Sequence, residues 1–345
     1  MQSTTVLSAS LALAILACGS EQTTTEPSAS PALLRGSVAA YTAVELGTPG
    51  QLGGAASINP AGRVAGGSQL AGQREPHAVL WDNGLLTDLG TLGGFYSEAA
   101  SLNPRGQVVG RSSVTGGIED GMDHAFLWEK GAMVDLGTLG GAQSFAFDIN
   151  PRGQVVGWSY NSAGSFRAFL WERGTMTDLG TLGGNFSGAD AINAAGQVVG
   201  SSMTAAGEQH AVLWVNGVMT DLGTLGGTRS FATDINAAGQ IVGTSTTALG
   251  RTHAFLWTNG IMTDLGTLGG CCSDATAINS AGEIVGSSIT PDLQRHAFIW
   301  ADGTMTDLNP PGADFSQADD INPAGDIVGW IRTASGGEVT LWTRK

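Results

Sequence analysis

The tetrad Asn-x-x-Gly, preceded by Ile or Leu, recurs along the chain, headed by Asn59, Asn103, Asn150, Asn193, Asn236, Asn279 and Asn322. The spacings are 44, 47, 43, 43, 43 and 43 residues, so the chain supplies seven aligned versions of one unit. A period of this length points to a repeat architecture, in which each unit buries its apolar face only against its neighbours.

Each copy reads as short strands and tight turns. Ala-x-x-Ile-Asn, as in Ala232–Asn236, forms a short first strand. Asn59-Pro60-Ala61-Gly62 suits a type I turn, with Asn at the first corner, Pro at the second and Gly at the fourth. Gly-Gln-Val-Val-Gly, rich in β-branched residues, is a second strand. After a variable polar loop, His-Ala-Phe-Leu-Trp is a third. Trp-x-x-Gly reads as another turn of the same design, and Met-Thr-Asp-Leu-Gly-Thr-Leu as a fourth strand. Four strands per unit fit a propeller blade better than a β-helix rung, which is roughly half as long.

Residue size orders the strands. Ala55, Ala99, Ala146, Ala189, Ala232, Ala275 and Ala318 place the first strand at the crowded axis, with the Phe, Leu and Trp of the third strand farther out. YTAVELGTPG at 41–50 resembles a fourth strand without its predecessors, and the terminal EVTLWTRK a third strand without a fourth. The expectation is an all-β, seven-bladed β-propeller over 39–345, with four antiparallel strands per blade. The N-terminal strand would complete the last blade beside Glu338–Trp342 and close the ring, removing two sheet edges.

The string HAFLW-x-x-G-x-M-T-D-L-G-T-L-G-G, followed by A-x-x-I-N-x-x-G-Q-V-V-G, resembles the HAF family of probable extracellular bacterial repeats, over roughly residues 41–345. The resemblance implies export and repetition and carries no established activity.

The N-terminal residues point the same way. Residues 6–17, VLSASLALAILA, are apolar but too few to span a bilayer, which suits a signal peptide over 1–17. Ile-Leu-Ala-Cys at 15–18 resembles a lipobox, implying cleavage before Cys18 and lipidation of its sulfur. Leu16 and the lack of Lys or Arg in MQSTT depart from that pattern, and a simply cleaved signal peptide and an uncleaved or misassigned start are the alternatives. Residues 18–38 read as a flexible linker. The expected location is the cell envelope, as a lipoprotein of the outer membrane or cell surface, or else secretion. Any membrane contact would come only through the lipid.

A net charge of −15 opposes binding to nucleic acid phosphates. Fifty-three Gly with only 11 Pro and no three-residue period exclude collagen. Cys271 and Cys272 are adjacent, show no metal-ligand spacing, and read as an incidental pair.

Reactive residue types recur with the repeat, which argues against catalysis. All five histidines (His77, His124, His210, His253, His296) share one position, occupied by Arg167 and Glu338 in the other copies. One active site needs one base, so a residue present in most copies reads as a structural hydrogen-bonder. Asp88, Asp135, Asp178, Asp221, Asp264 and Asp307, with Glu45, form a parallel set. If Trp257 faces Ile261 across a three-residue turn, His253 and Asp264 fall on opposite faces. Any His–Asp contact would then join adjacent blades or be absent. Thr-Leu-Gly-Gly lacks the Lys and helix of a phosphate loop and reads as a tight crossing between blades.

Function is expected where the copies differ, on the face shared by the crossings and the loops between second and third strands. Those loops are 110–123, 157–167 and 329–337. The candidate ligand-binding residues are Trp158, Tyr160, Trp330, Arg332, Phe95 and Tyr96, with Phe186 and Phe315 nearby. Packing of Trp158 and Trp330 between blades is the competing reading. The expected function is a monomeric, exported, lipid-anchored binding or scaffold module for a glycan or protein partner, without catalytic residues, metal or cofactor. A propeller hydrolase or lyase with an axial metal is the alternative, for which Asp148, Asp190, Asp234, Asp319 and Asp320 are the best cluster on offer. A purely structural surface protein is the third reading.

Overall fold

The computed structural model describes residues 41–45, 53–73, 75–114, 122–334 and 336–344; Cys18 and residues 115–121 of the 110–123 loop lie outside them. The described residues form strands and turns, and the strands fall into groups. β1 is Tyr41–Glu45. Group one is β2–β5 (Gly53–Ile58, Val64–Ser68, His77–Asp82, Leu85–Asp88), and group two is β6–β9 (Gly93–Leu102, Val108–Val114, Asp123–Glu129, Ala132–Asp135). Group three is β10–β13 (Gly140–Ile149, Val155–Asn161, Phe166–Glu172, Thr175–Asp178), and group four is β14–β17 (Gly183–Ile192, Val198–Thr204, Gln209–Val215, Val218–Asp221). Group five is β18–β21 (Gly226–Ile235, Ile241–Thr247, Thr252–Thr258, Ile261–Asp264), and group six is β22–β25 (Ser273–Ile278, Ile284–Ile289, Arg295–Ala301, Thr304–Asp307). The last group is β26–β28 (Ala313–Ile321, Ile327–Thr333, Gly336–Arg344).

Consecutive strands within a group pair antiparallel, and β1 pairs with β28 from Tyr41↔Arg344 to Glu45↔Thr340. Lone parallel bridges at Gln209↔Arg229 and Arg295↔Phe315 join two pairs of groups into longer sheets. The first strand is longer than the Ala-x-x-Ile segment: β6, β10, β14 and β18 each start at the glycines of Thr-Leu-Gly-Gly. The crossing therefore continues straight into the sheet.

The Asn-x-x-Gly turn forms as its residues dictate. Gly62 N–H donates to Asn59 O at 2.9 Å, and the Asn59 side-chain oxygen accepts from Ala61 N at 3.0 Å and Arg63 N at 3.1 Å. Gly62 sits at φ +77°, the left-handed region that glycine enters without penalty. The Trp-x-x-Gly turn differs from the expectation. Thr258 pairs with Ile261, Trp257 with Met262 and Phe255 with Asp264, so only Asn259 and Gly260 are unpaired. Their φ values of +51° and +87° belong to a two-residue hairpin of the mirror-image type, whose twist matches that of the strands. This one-residue change of register puts His253 and Asp264 on the same face, reversing the reading above.

The glycine closing Gln-Val-Val-Gly has a packing reason. Each first strand carries a bulge beside it, as between Ala146↔Gly157 and Asp148↔Val156. A Cβ on Gly157 would lie 1.9 Å from the Phe145 carbonyl oxygen. No side chain fits there.

The core lies between groups. Seven apolar clusters each draw on two consecutive groups, and one joins Val328 and Val339 of the last to Ala55, Ile58, Val64, Val79 and Trp81 of the first. First strands touch in the same order, with β26 against β2. Exposed Leu85, Val134, Val218 and Ile261 lie on fourth strands, the outer ones.

Polar contacts repeat the same joints. Asn103 Nδ2 donates to Asn150 O at 3.1 Å, Asn150 to Asn193 O at 3.1 Å and Asn193 to Asn236 O at 3.1 Å. Asn236 reaches Asn279 O at 3.1 Å, while Asn59 to Asn103 O and Asn279 to Asn322 O measure 3.3 Å. A buried serine two residues before the recurring alanine forms a second joint. Ser144 Oγ accepts from Ala125 N of the preceding group at 2.9 Å and donates to Gly137 O at 2.5 Å. Ser97, Ser187, Ser230, Ser273 and Ser316 accept from the corresponding alanine N–H.

Asn150 is 1% exposed and serves four partners: Arg152 N, Gln154 N, Gln154 Oε1 and Asn193 O. Asn150→Ala leaves buried amides unpaired at roughly 1–3 kcal/mol per group. A urea midpoint shift equivalent to a loss of about 2–4 kcal/mol is expected; a loss below 0.5 kcal/mol, about the size of an ordinary surface change, would contradict the ladder.

Candidate functional site

Crossings and second-to-third loops share one end of the sheets. Leu139 and Gly140 pair with Asn161, and Leu182 and Gly183 with Thr204, so each crossing starts beside the end of a second strand. The copies diverge at the second-strand residue after the close-packed glycine: Gly67, Arg111, Trp158, Ser201, Thr244, Ser287 and Trp330. Its third-strand partner is a small alanine, as in Arg111↔Ala125 and Trp158↔Ala168. Its first-strand partner varies with it: Glu98 opposite Arg111, Phe145 opposite Trp158, Gln317 opposite Trp330. Alanine leaves room on one side, and the first strand supplies a matched neighbour on the other.

In groups two to four these neighbours form one patch. Trp158 stacks on Phe145 at 4.1 Å between centroids and meets Phe166 edge-on at 4.7 Å. Tyr160 lies 4.1 Å from Phe166, which approaches Phe186 of the next group at 6.1 Å. Arg111 lies over the Tyr96 ring at 5.1 Å and the Phe145 ring at 5.2 Å. It donates to Glu98 Oε2 at 2.8 Å from Nη2 and to the Tyr96 hydroxyl at 2.9 Å, while Tyr96 donates to Glu98 at 2.7 Å. Burial, reinforced by the Glu98 charge, raises the Tyr96 pKa, so this hydroxyl stays a donor. Burial likewise raises the Asp123 carboxyl, against the opposing pull of Arg111 at 3.8 Å.

The expected binding residues therefore divide. Tyr96, Trp158 and Tyr160 meet in this patch. Phe95 stands 54% exposed beside it. Trp330 and Arg332 form a separate patch in the last group: Phe315 meets Trp330 edge-on at 5.3 Å, and Arg332 donates to Asp314 at 2.9 Å. Trp158 and Trp330 are half-buried and make their ring contacts within their own groups. Trp158 also borders the next group, since a side chain at Gly188 would meet it and Phe186. Residue-by-residue reading missed Arg111, Glu98, Phe145 and Phe166. Arg111, Glu98 and Phe145 stand at the pair of positions where the copies vary together, which was their one sequence signal; Phe166, on the third strand opposite Tyr160, is not at that pair.

The histidines bond aspartates within their own hairpins. Nδ1 of His253 lies 2.8 Å from Asp264 Oδ2, with 2.8 Å also at His124–Asp135 and His210–Asp221, 2.7 Å at His296–Asp307 and 2.9 Å at His77–Asp88. Each aspartate also accepts a backbone N–H from the turn after its strand, as Asp264 does from Gly266 at 2.8 Å. Burial opposes the Asp264 charge, but the His253 and Gly266 hydrogen bonds prevail and lower its pKa. Where Arg167 replaces histidine, it donates to Asn185 O at 2.6 Å and lies 3.8 Å from Asp178. The side chains of Glu45 and Glu338 lie outside the described residues. The crossings are held by their own threonines: Thr138 Oγ1 donates to Gly141 O at 2.9 Å and accepts from Gly140 N at 3.1 Å. Cys271 and Cys272 are half-buried and not joined by a disulfide, with sulfurs 2.9 Å apart.

On the first strands, Asp148, Asp234 and Asp320 each clamp two backbone amides. Asp148 accepts from Ile149 N at 2.7 Å, Ile192 N at 2.8 Å and Ser101 Oγ at 2.7 Å. Asp234 accepts from Ile235 N at 2.7 Å and Ile278 N at 2.8 Å. Asp320 accepts from Ile321 N and Ile58 N at 2.8 Å and from Ser57 Oγ at 2.9 Å, spanning the last and first groups. These carboxyls are half-buried and enclosed by protein. Enclosure raises all three, to about 8 for Asp234, which also feels the charges of Asp148 and Asp320, and to about 6 for Asp320. Asp319 is pushed up to about 7, also chiefly by burial. Among the described residues no three His, Cys, Asp or Glu side chains converge as a metal cage. The clamped carboxyl groups serve the joints between groups.

No family model and no curated protein sequence matches this chain. Solved structures do match in fold. A puromycin-hydrolyzing peptidase of Mycobacterium tuberculosis aligns at TM-score 0.58 and 10% identity, over 85% of this chain and 51% of that one. The WD40 β-propeller domain of Doa1 aligns at TM-score 0.51 and 14% identity, covering 88% and 97%. The BP39L lectin of Burkholderia pseudomallei aligns at 0.51 and 11%, covering 89% and 96%. At these identities the likeness is one of fold: the chain is all-β, antiparallel and of β-propeller type.

The raised carboxyls have a consequence for stability. With a folded pKa of about 8 against about 3.9 unfolded, Asp234 holds a proton in the folded chain that the unfolded chain has lost. Its contribution is most favourable at low pH and declines as pH rises through that window. The thermal midpoint should fall between about pH 5 and 8, less steeply for Asp234→Asn. Equal slopes for the two proteins would contradict the assignment.

Proposed function

We propose that the chain is an exported, seven-bladed β-propeller, closed by β1 on β28, that acts as a binding module for a glycan or protein partner. Support for seven blades comes from the four-strand groups, the β1–β28 register and the apolar clusters that lead from the last group back to the first. The lipobox-like residues around Cys18 support a lipid anchor. Fatty-acid labelling that disappears in Cys18→Ala is the expected check.

One observation carries the binding reading: the copies are unequal at one end of the sheets, and there they assemble rings and a guanidinium into one patch. Tyr96, Arg111, Phe145, Trp158, Tyr160 and Phe166 combine apolar ring surface with directed donors, the mixture that sugars and protein anchors both use. An enzyme at the axis is less well supported, because Asp148, Asp234 and Asp320 are already engaged by backbone amides of neighbouring groups. A purely structural role would leave the patch without a ligand.

Screening the purified protein on glycan and peptide arrays, followed by titration of the best binder, tests the reading. Trp158→Ala is expected to weaken that binder at least tenfold, in the range of one buried aromatic anchor. No binder on either array, or one indifferent to Trp158→Ala, would contradict it.

A further inference from the structure

At the opposite end of the sheets, where the Asn-x-x-Gly and Trp-x-x-Gly turns lie, an open groove of about 480 Å³ is lined by Arg105, Leu127, Arg152, Trp171, Glu172 and Arg173. That volume falls in the range of small-ligand sites. The arginines belong to particular copies. Arg105 and Arg152 occupy the third turn position, where the other five copies carry Ala61, Ala195, Ala238, Ala281 and Ala324.

Their backbone N–H groups are used in the turns, donating to Asn103 and Asn150. Among the described residues, the guanidinium groups of Arg105 and Arg152 have no hydrogen-bond or ion-pair partner. The guanidiniums of Arg229 and Arg251 also lack a partner among the described residues, but they lie at the other end of the sheets, so what sets Arg105 and Arg152 apart is the groove they share. The other arginines around the turns are engaged: Arg63 with Asp82 at 2.8 Å, Arg344 with Glu283 at 2.5 Å, and Arg173 loosely with Glu172 at 3.9 Å. Two guanidiniums without a partner among the described residues stand beside an apolar wall of Trp171 and Leu127.

We infer that this groove is a second binding site, for an anionic saccharide. The planar forks of Arg105 and Arg152 suit the carboxylate, sulfate or phosphate groups of such a ligand, which they would bind in pairs of charge-assisted hydrogen bonds. Trp171 and Leu127 give the apolar face of a sugar ring a surface to rest on. Glu172 on the rim disfavours anions that approach from its side.

Calorimetric titration at low salt tests the site with three probes: tri-galacturonate, its uncharged methyl ester, and a heparin-derived hexasaccharide. Binding of either or both anionic probes is expected, weakening as salt rises, with the methyl ester at least tenfold weaker than the acid if tri-galacturonate binds. The two acids distinguish carboxylate from sulfate recognition. Arg105→Ala with Arg152→Ala should weaken the bound probe at least tenfold and leave the thermal midpoint unchanged, since neither guanidinium has a partner to lose. Arg251→Ala, at an exposed arginine in a second-to-third loop, should leave binding unchanged. Failure of both anionic probes to bind, equal binding of the methyl ester and the acid, or equal loss in Arg251→Ala would overturn the proposal.

Discussion

The amide of one asparagine, repeated through the chain, holds this fold in register. Each Asn side chain closes its own turn through Oδ1, and those from Asn59 to Asn279 reach the backbone carbonyl of the next Asn through Nδ2. Aspartate would lose the donor, and glutamine is too long to close the turn. A hydrophobic surface between flat sheets permits sliding, because dispersion and water exclusion have little direction. A buried amide with one acceptor at about 3 Å does not. The serine joints act alike at the other end of the same strands, so the six sequential pairs of groups are fixed at two heights, while Asp320 ties the last group to the first.

With geometry fixed by the recurring residues, the remaining positions are free to differ. Bulge and close-packed glycine set how the first two strands approach, and the alanine of the third strand leaves space beside the second. What fills that space is copy-specific: an ion pair at Arg111–Glu98, a ring stack at Trp158–Phe145, a smaller pair elsewhere. The joints also differ. Asp148, Asp234 and Asp320 clamp adjacent groups with carboxyls whose enclosure opposes their charge. The frame is uniform while its lining is not.

Much of this was legible in the residues, for identifiable reasons. Period, β-branched runs and Asn-Pro-x-Gly turns specify strands and one hairpin type almost alone. The other turn misled because Trp-x-x-Gly mimics Asn-x-x-Gly in spacing. Its distinguishing sign was the residue directly before Gly: Asn83, Asn216, Asn259 and Asp302 favour positive φ, whereas Lys130 and Arg173 hide it. That single residue of register decided whether His253 meets Asp264. Ser144 and its equivalents recur visibly but look like ordinary strand residues until the next group is in place. The Arg111–Glu98–Tyr96 cluster was not legible, because variation between copies shows which positions differ and not which side chains meet.

In the proposed ring, β1 completes the last group beside β28. Cysteines at Thr42 and Thr343, directly paired across β1 and β28, test this most directly. In a closed ring, Thr42→Cys with Thr343→Cys should oxidise readily to a disulfide within one chain. Linking positions about 300 residues apart should then raise stability by about 3–5 kcal/mol over the reduced form in the chain-entropy picture. A pair that stays reduced under oxidant, or that crosslinks only between molecules, would contradict closure.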